Sequence, residues 1–206
     1  VTGSFANVSY GGTCLEFGAS ATWTDSTVAS CSYGAWVSAG TATLSRMTFS
    51  THVYSSLYGV GGTLNADHCL VTTNTNNGYA VRFLGGASGL LDHDTIASNF
   101  GGGISTSTSG VVNVRSSIVA NNSGYGFYNS GSAQTTTYSD YYGNPSGNFG
   151  LTLGAGCLTG NPLFVGGTDF HVQTGSPCIG TAQDGKTMGA FGGPASIVLV
   201  TPGSPS

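Results

Sequence analysis

The chain has 206 residues, of which 88 are Gly, Ser or Thr and about 6% are charged. An ordinary soluble domain carries roughly 25% charged residues. Four Lys and Arg exclude a nucleic-acid-binding surface and a basic patch for anionic membranes. Gly, Ser and Thr are poor helix formers, which excludes a helical bundle. No apolar run approaches the ~20 residues that a membrane span requires.

Short strand-like segments recur about every 22 residues along the chain. Each segment carries an apolar anchor at the same place, and these anchors are Val28, Phe49, Leu70, Ile96, Ile118 and Tyr141. A second apolar column follows eight or nine residues later and contains Phe17, Trp36, Leu57, Ile104 and Phe127. Coils of this length stack at the inter-strand spacing of ~4.8 Å, so that the inward columns form one continuous core. The period therefore predicts an all-β, single-stranded parallel β-solenoid.

Polar residues also form columns in this alignment. Three residues after the anchors, Asn99, Asn121 and Asn144 predict an Asn ladder at a corner of the coil. Three residues before the anchors stand charged or titratable groups in five successive coils, namely Asp25, Arg46, Asp67, His93 and Arg115. We interpret this column of charged and titratable residues either as an ion-pair ladder that fixes the coil register or as a functional groove.

Two parts of the sequence carry a family resemblance. Residues 91–99 and 117–129 resemble the right-handed parallel β-helix repeats of pectate-lyase-like proteins. The tail, with Asn161-Pro162-Leu163-Phe164, Gly175-Ser176-Pro177-Cys178 and Met188-Gly189-Ala190-Phe191, resembles the closing segment of bacterial secreted β-helix proteins of the choice-of-anchor type. This resemblance implies a right-handed helix that is secreted or displayed at the cell surface. It does not imply a reaction, because the fold hosts enzymes, adhesins and structural proteins.

The resemblance also suggests where catalysis would occur. Uronate lyases of this fold use a carboxylate cluster for Ca²⁺ and an Arg or Lys as the base, and hydrolases use two or three carboxylates. The residues that could supply such groups are Asp67, His68, Asp92, His93, Asp94 and Arg115. The hydrolase and second lyase elements of the fold are missing from the sequence. We therefore predict no catalytic residues, no metal and no cofactor, with Ca²⁺ required only under the lyase alternative.

Aromatic residues crowd two neighbouring coils. If exposed, Tyr125, Tyr128, Tyr138 and Tyr142 could stack on sugar rings of a polysaccharide or on a partner protein. The alternative is that Phe127 and Tyr141 belong to the core while the other rings line a loop.

The five Cys residues are an odd number and contain no C-x-x-C pair, which argues against a zinc or redox motif. They are either buried free thiols or form one or two disulfides, for which Cys157–Cys178 is the preferred pair. The low charge and the many Ser and Thr residues favour an extracellular location. Val1 starts directly in a strand-like pattern, so we expect a mature or excised piece of a longer protein.

We divide the chain into β-helix coils over residues 1–144, closing coils over 145–193, and a C-terminal strand with a Pro/Ser linker over 194–206. The apolar strand Ile197, Val198, Leu199 and Val200 either caps its own chain or adds to a neighbouring copy. From these features we predict an extracellular structural or adhesive solenoid that self-assembles end to end into fibres. The alternative is a polysaccharide-active enzyme or carbohydrate-binding module.

Overall fold

The structure is a computed structural model that describes residues 2–4, 7–107, 109–131 and 134–192. The predicted strand at Ile197–Val200 and the linker over 194–206 lie outside the described residues. The described residues form strands and no α-helix. The strands are, in chain order, β1 (Thr2–Ser4), β2 (Asn7–Phe17), β3 (Ala21–Thr24), β4 (Thr27–Val37), β5 (Thr41–Ser45), β6 (Thr48–Ser50), β7 (Ser55–Gly59), β8 (Thr63–Asp67), β9 (Leu70–Thr72), β10 (Tyr79–Phe83), β11 (Ser88–Asp92), β12 (Thr95–Ala97), β13 (Gly102–Thr106), β14 (Val111–Arg115), β15 (Ile118–Ala120), β16 (Phe127–Asn129), β17 (Gln134–Thr137), β18 (Asp140–Tyr142), β19 (Asn148–Phe149), β20 (Leu151–Leu153), β21 (Phe164–Gly166) and β22 (Asp169–Val172).

Each coil contributes one strand to each of three faces. The first face is an eight-stranded parallel sheet in the order β1-β3-β5-β8-β11-β14-β17-β20. We call β6, β9, β12, β15 and β18 the anchor face, and β7, β10, β13, β16 and β19 the third face. The long strands β2 and β4 run through both of these faces and join them into one sheet. Paired residues on neighbouring coils are about 22 positions apart, as for Val114 and Thr136. The predicted all-β parallel solenoid is confirmed.

Apolar side chains fill the lumen between the three faces. The anchor column is Val28, Phe49, Val71, Ile96, Val119 and Tyr141, all of them buried. The second column is Ala35, Leu57, Val81, Ile104 and Phe127. The columns predicted from the sequence are therefore displaced by one residue at Leu70, Ile118 and Trp36, and by two residues at Phe17, which pairs with Val37. Successive residues of a strand point to opposite faces, so a shift of one moves a side chain from the lumen to the outside.

The predicted Asn ladder exists, with a corrected membership. Each backbone N–H at this corner donates to the side chain of the next coil, from Cys31 through His52, Asn74, Asn99 and Asn122 to Asn144. Asn121 is not a member, because it occupies the preceding corner position, at φ +56°, and is exposed. The ladder satisfies buried backbone donors that the sharp corner removes from the strand pairing.

The end of the described chain leaves the coil path. Residues 148–158 continue the coils through β19, β20 and a bridge from Asp140 to Leu158. Strands β21 and β22 then form an antiparallel hairpin, and the segment that follows lies on the outside of the anchor face. There Met188 packs with Ile118, and Phe170 packs with Leu70. Residues 164–191, which we call the covering segment, thus lie over the outer side of the anchor face instead of forming further closing coils.

The disulfide links the first two coils. Cys14 in β2 is bonded to Cys31 in β4, and Cys69, Cys157 and Cys178 are free thiols. The predicted Cys157–Cys178 pair is therefore wrong. Cys178 lies on the anchor face against the buried Asp140, whereas the Cys157 thiol donates to the Thr136 carbonyl in the preceding coil. Among the described residues, no helix is long and apolar enough to cross a membrane.

Candidate functional site

The candidate site lies at the corner where strands of the first face end. In successive coils the last strand residues pair as Ser45, Asp67, Asp92 and Arg115. The next residue turns the chain in the left-handed region, with φ near +52° at Arg46, His68, His93 and Ser116. The predicted column that mixed Asp67, His93 and Arg115 is therefore two adjacent columns, and the correction follows from the one-residue shift at Leu70 and Ile118.

Asp92 is the most heavily bonded carboxylate of this corner. Its Oδ1 accepts from His93 Nδ1 at 3.0 Å, and its Oδ2 accepts from Arg115 Nε and Nη2 at 2.9 and 2.6 Å. Burial raises the pKa of Asp92, but the hydrogen bonds from His93 and Arg115 outweigh burial, so the net pKa is lowered. Asp92 is ionised at neutral pH and both of its oxygens are engaged.

His93 connects this corner to the covering segment. Its ring stacks on His68 with centroids 4.8 Å apart, and its Nε2 lies 3.3 Å from Asp184 Oδ1. Asp184 in turn pairs with Lys186 at 2.9 Å. The hydrogen bond to Asp92 raises the pKa of His93, while the hydrogen bond from Lys186 lowers the pKa of Asp184.

The covering segment closes one side of the site. A cleft of about 240 Å³ is lined by Asp92, His93, Arg115, Ser116, Gln183 and Asp184. Sequence reasoning missed the last two residues, which follow His93 by some 90 positions and belong to no repeat. The available signal was that Asp184 and Lys186 are two of very few charges in the chain.

The fit of a metal ion can be tested on this geometry. Asp67, His68 and His93 offer ligand atoms within 4.8 Å of one another. The two imidazole planes are 4° from parallel and both Nδ1 atoms bond to aspartates, so no single ion lies in both ring planes. Ca²⁺ takes six to eight oxygen ligands. Asp67 and Asp92 do not supply such a set, because Asp92 is saturated and the Asp67 oxygens bond His68 and Ser45.

Asp94, a further candidate, does not belong to the site. It is 1% exposed and accepts a hydrogen bond from the Cys69 backbone N–H at 2.7 Å. Burial raises its pKa well above the ordinary value. Asp94 forms a buried side-chain ladder with Ser117 and Ser139.

The four predicted stacking residues divide into two pairs. Tyr125 and Tyr128 lie at the third face and contact each other with ring centroids 5.3 Å apart. Tyr138 and Tyr142 pack instead against the covering segment. Sequence reasoning missed the other aromatic residues of the third face and its β4 extension, which are Tyr33, Trp36, Tyr54, Tyr58 and Tyr79. Placing Trp36 in the core concealed this surface.

A parallel solenoid with an internal Asn ladder and one-residue corners defines the class of this protein as a β-helix domain. The sequence matches the family model described as right handed beta helix region over residues 5–164, and the chain belongs to that family. No curated protein matches the sequence. A similar solved structure is the crystal structure of pectate lyase Pel9A, with a TM-score of 0.57 and 11% identity over 91% of this chain and 69% of that chain. At this identity the likeness concerns the fold alone.

Proposed function

We propose that this chain is a non-catalytic extracellular domain with a structural or adhesive role. The observation that carries the proposal is the complete pairing of the corner site. Arg115 is held on Asp92, and His93 bonds Asp92 and Asp184. A uronate lyase needs a free cationic base, and a glycosidase needs separated acid and base carboxylates. At this corner the charges instead hold the covering segment on the coils.

Two observations support the extracellular part of the proposal. The Cys14–Cys31 disulfide is of the kind that persists in oxidising compartments. The small number of charges and the abundance of Ser and Thr suit a surface that is hydrated without strong electrostatic fields.

An activity screen tests the absence of catalysis. The purified protein is incubated with pectin, alginate and related uronates, with and without Ca²⁺, and products are followed by size and by absorbance of unsaturated ends. We expect no turnover. Turnover that Asp92→Ala abolishes would overturn the proposal. Asp25→Ala is the matched control, because Asp25 pairs with Arg46 at the same corner two coils away from Asp67.

End-to-end assembly is a further part of the proposed role. At the first coil, a cavity of about 510 Å³ opens between Leu15, Phe17, Ala21 and Trp23. At the last described coil, Phe149 and Leu153 are 52% and 39% exposed. Strand edges with apolar neighbours are templates for pairing with another chain.

Electron microscopy at high protein concentration tests this assembly, and we expect filaments. Leu153→Arg places a charge at the last described coil and is expected to abolish them. Val111→Arg is the control, because Val111 is at least as exposed, at 50%, and lies two coils before the last described one. Uniformly monomeric particles of the unmodified protein would contradict end-to-end assembly.

A further inference from the structure

The third face and its extension through β4 carry an unusual concentration of aromatic side chains. Six of the ten Tyr residues lie there, namely Tyr33, Tyr54, Tyr58, Tyr79, Tyr125 and Tyr128, together with Trp36 and Phe149. The rings form two clusters. In the first, Tyr33 lies 4.9 Å from both Trp36 and Tyr58. In the second, Tyr128 stacks on Tyr79 at 5.8 Å and on Phe149 at 5.2 Å.

Strand register orders these groups into a straight line. Trp36, Tyr58, Arg82, Ser105, Tyr128 and Phe149 pair across six successive strands, and we call them the aromatic row. Five inter-strand steps of ~4.8 Å make the row about 24 Å long. A straight row of this length suits an extended polymer better than a compact partner.

Arg82 stands in the middle of the row without an acidic partner. Among the described residues, Arg46, Arg115 and Lys186 each form an ion pair, and no carboxylate lies within ion-pair distance of Arg82. Its guanidinium lies 5.5 Å from the centre of the Tyr58 ring, and its Nε is buried without a hydrogen-bond partner. A partly desolvated, unpaired guanidinium attracts a carboxylate or a sulfate group.

The surroundings leave this positive charge uncompensated. Glu16 belongs to the same column but stands three coils from Arg82, about 14 Å away, which exceeds the Debye length at physiological ionic strength. Burial raises the pKa of Tyr79 to about 12, so this phenol stays neutral and does not compete for the cation.

Gly102 leaves room for the Tyr79 ring beside the row. A Cβ at Gly102 would overlap the ring of Tyr79, which pairs with it on the neighbouring strand. The missing side chain lets the ring lean across the coil toward Tyr128. On each side of Arg82 the aromatic side chains therefore contact one another and form a continuous surface of rings.

We propose that the aromatic row binds a linear acidic polysaccharide, with sugar rings packed against Trp36, Tyr58 and Tyr128 and an anionic substituent paired with Arg82. Sugar rings present apolar faces to aromatic side chains, and the anion is recognised by the guanidinium. This inference deepens the proposed function and rests on it, because it names the ligand of an adhesive surface that does not turn its ligand over.

Three polymers with one backbone test the proposal, namely dextran, carboxymethyl dextran and dextran sulfate. Binding of the whole chain is measured by calorimetry or affinity electrophoresis at low and high salt. We expect dextran to bind at least about tenfold more weakly than the charged polymers, and added salt to remove most of the difference. The carboxymethyl and sulfate arms distinguish the two sources of negative charge. Equal binding of all three polymers, or of none, would overturn the proposal.

Variants locate the binding surface. Arg82→Gln is expected to weaken binding of the better charged polymer at least about tenfold, and Tyr128→Ala severalfold. The matched controls are Arg46→Gln, which removes the same charge elsewhere, and Phe100→Ala, which removes a 61% exposed ring outside the row. Equal losses in the controls would overturn the proposal, as would equally tight binding of a polyglutamate peptide. Unfolding curves confirm that each variant is folded.

Analysis of the bound polymer separates this inference from the proposed function. If chains recovered after binding are shorter, the proposed absence of catalysis is wrong while the binding surface stands. If no polymer binds and none is shortened, the binding surface is wrong while the proposed absence of catalysis stands.

Discussion

Replacement of Asn122 tests the register of the solenoid most directly. The side chain is fully buried and makes four hydrogen bonds. Its Oδ1 accepts from Asn99 N and Asn99 Nδ2 at 3.2 and 2.8 Å, and its Nδ2 donates to Ile96 O and Asn144 Oδ1 at 3.0 Å each. In Asn122→Ala the Asn99 backbone N–H keeps no partner that the ladder can supply.

The magnitude follows from the groups left unpaired. One orphaned buried donor costs roughly 1–3 kcal/mol, and the other lost hydrogen bonds contribute about 1 kcal/mol each before relaxation. We expect Asn122→Ala to lower the free energy of unfolding by about 3–5 kcal/mol. Domains are usually stable by about 5–15 kcal/mol, so the change is a large fraction of the total.

Equilibrium unfolding in urea, followed by far-UV circular dichroism and Trp fluorescence, measures this change. With a urea slope of about 1–3 kcal/mol/M, the midpoint is expected to fall by 1 M or more. Asn121→Gly is the control, because Asn121 is exposed and its left-handed backbone suits glycine. A loss below about 1 kcal/mol for Asn122→Ala, or equal losses for the two variants, would refute the assigned register. Coincident transitions for the two probes establish that one free energy describes unfolding.

Three further predictions concern buried or strained groups. Burial raises the pKa of Asp140 from 3.8 to about 6, so the folded state loses stability as pH rises from 4 to 6. Asp140→Asn is expected to flatten this pH dependence. In urea unfolding at pH 7.5, the variant is expected to have a free energy of unfolding higher by up to roughly 3 kcal/mol. The pKa of His93 is raised and that of Asp184 is lowered, so docking of the covering segment is strongest from about pH 4 to 6.5 and weakens on either side. Hydrogen exchange of the Gly189 amide, which donates to the Ser116 carbonyl, measures this docking. Asp184→Asn is expected to weaken the protection of that amide within this pH window. Thr73 is exposed and β-branched at φ +54°, where Asn is tolerated better, so Thr73→Asn is expected to stabilise the protein by about 0.5–1 kcal/mol, and a destabilised variant would contradict the strain at this corner.

The coil architecture could be predicted because the lumen needs apolar side chains at each turn. The register could not be predicted fully, because Leu70-Val71 and Ile118-Val119 are adjacent apolar pairs. Either member of a pair could face the lumen if the outer face were exposed to water. In the structure both members are buried, one in the lumen and one under the covering segment. A repeat pattern carries no information about such a cover.

The candidate corner was predictable for the same reason that the coils were. Asp92, His93 and Arg115 come together because neighbouring coils place equivalent positions side by side. Asp184 could not be assigned to this corner, since a contact across some 90 residues follows from the path of the tail and not from the period. The spacing of eight residues from Val28 predicts a lumen position for Trp36. The small Ala35 holds that position, and the ring joins the outer row.

The corner geometry also decides what a column of charges means. Residues at the one-residue corner adopt φ near +52°, and charged or polar side chains occupy it in coil after coil, as at Asp25, Arg46 and His68. Asp25 and Arg46 pair at 2.6 Å along the same edge of the solenoid, three coils before the Asp92–Arg115 pair. Alignment of charges is therefore a consequence of the turn and is not evidence for catalysis. A charge that the fold leaves unpaired is stronger evidence for a ligand, and among the described cations Arg82 on the third face is that charge.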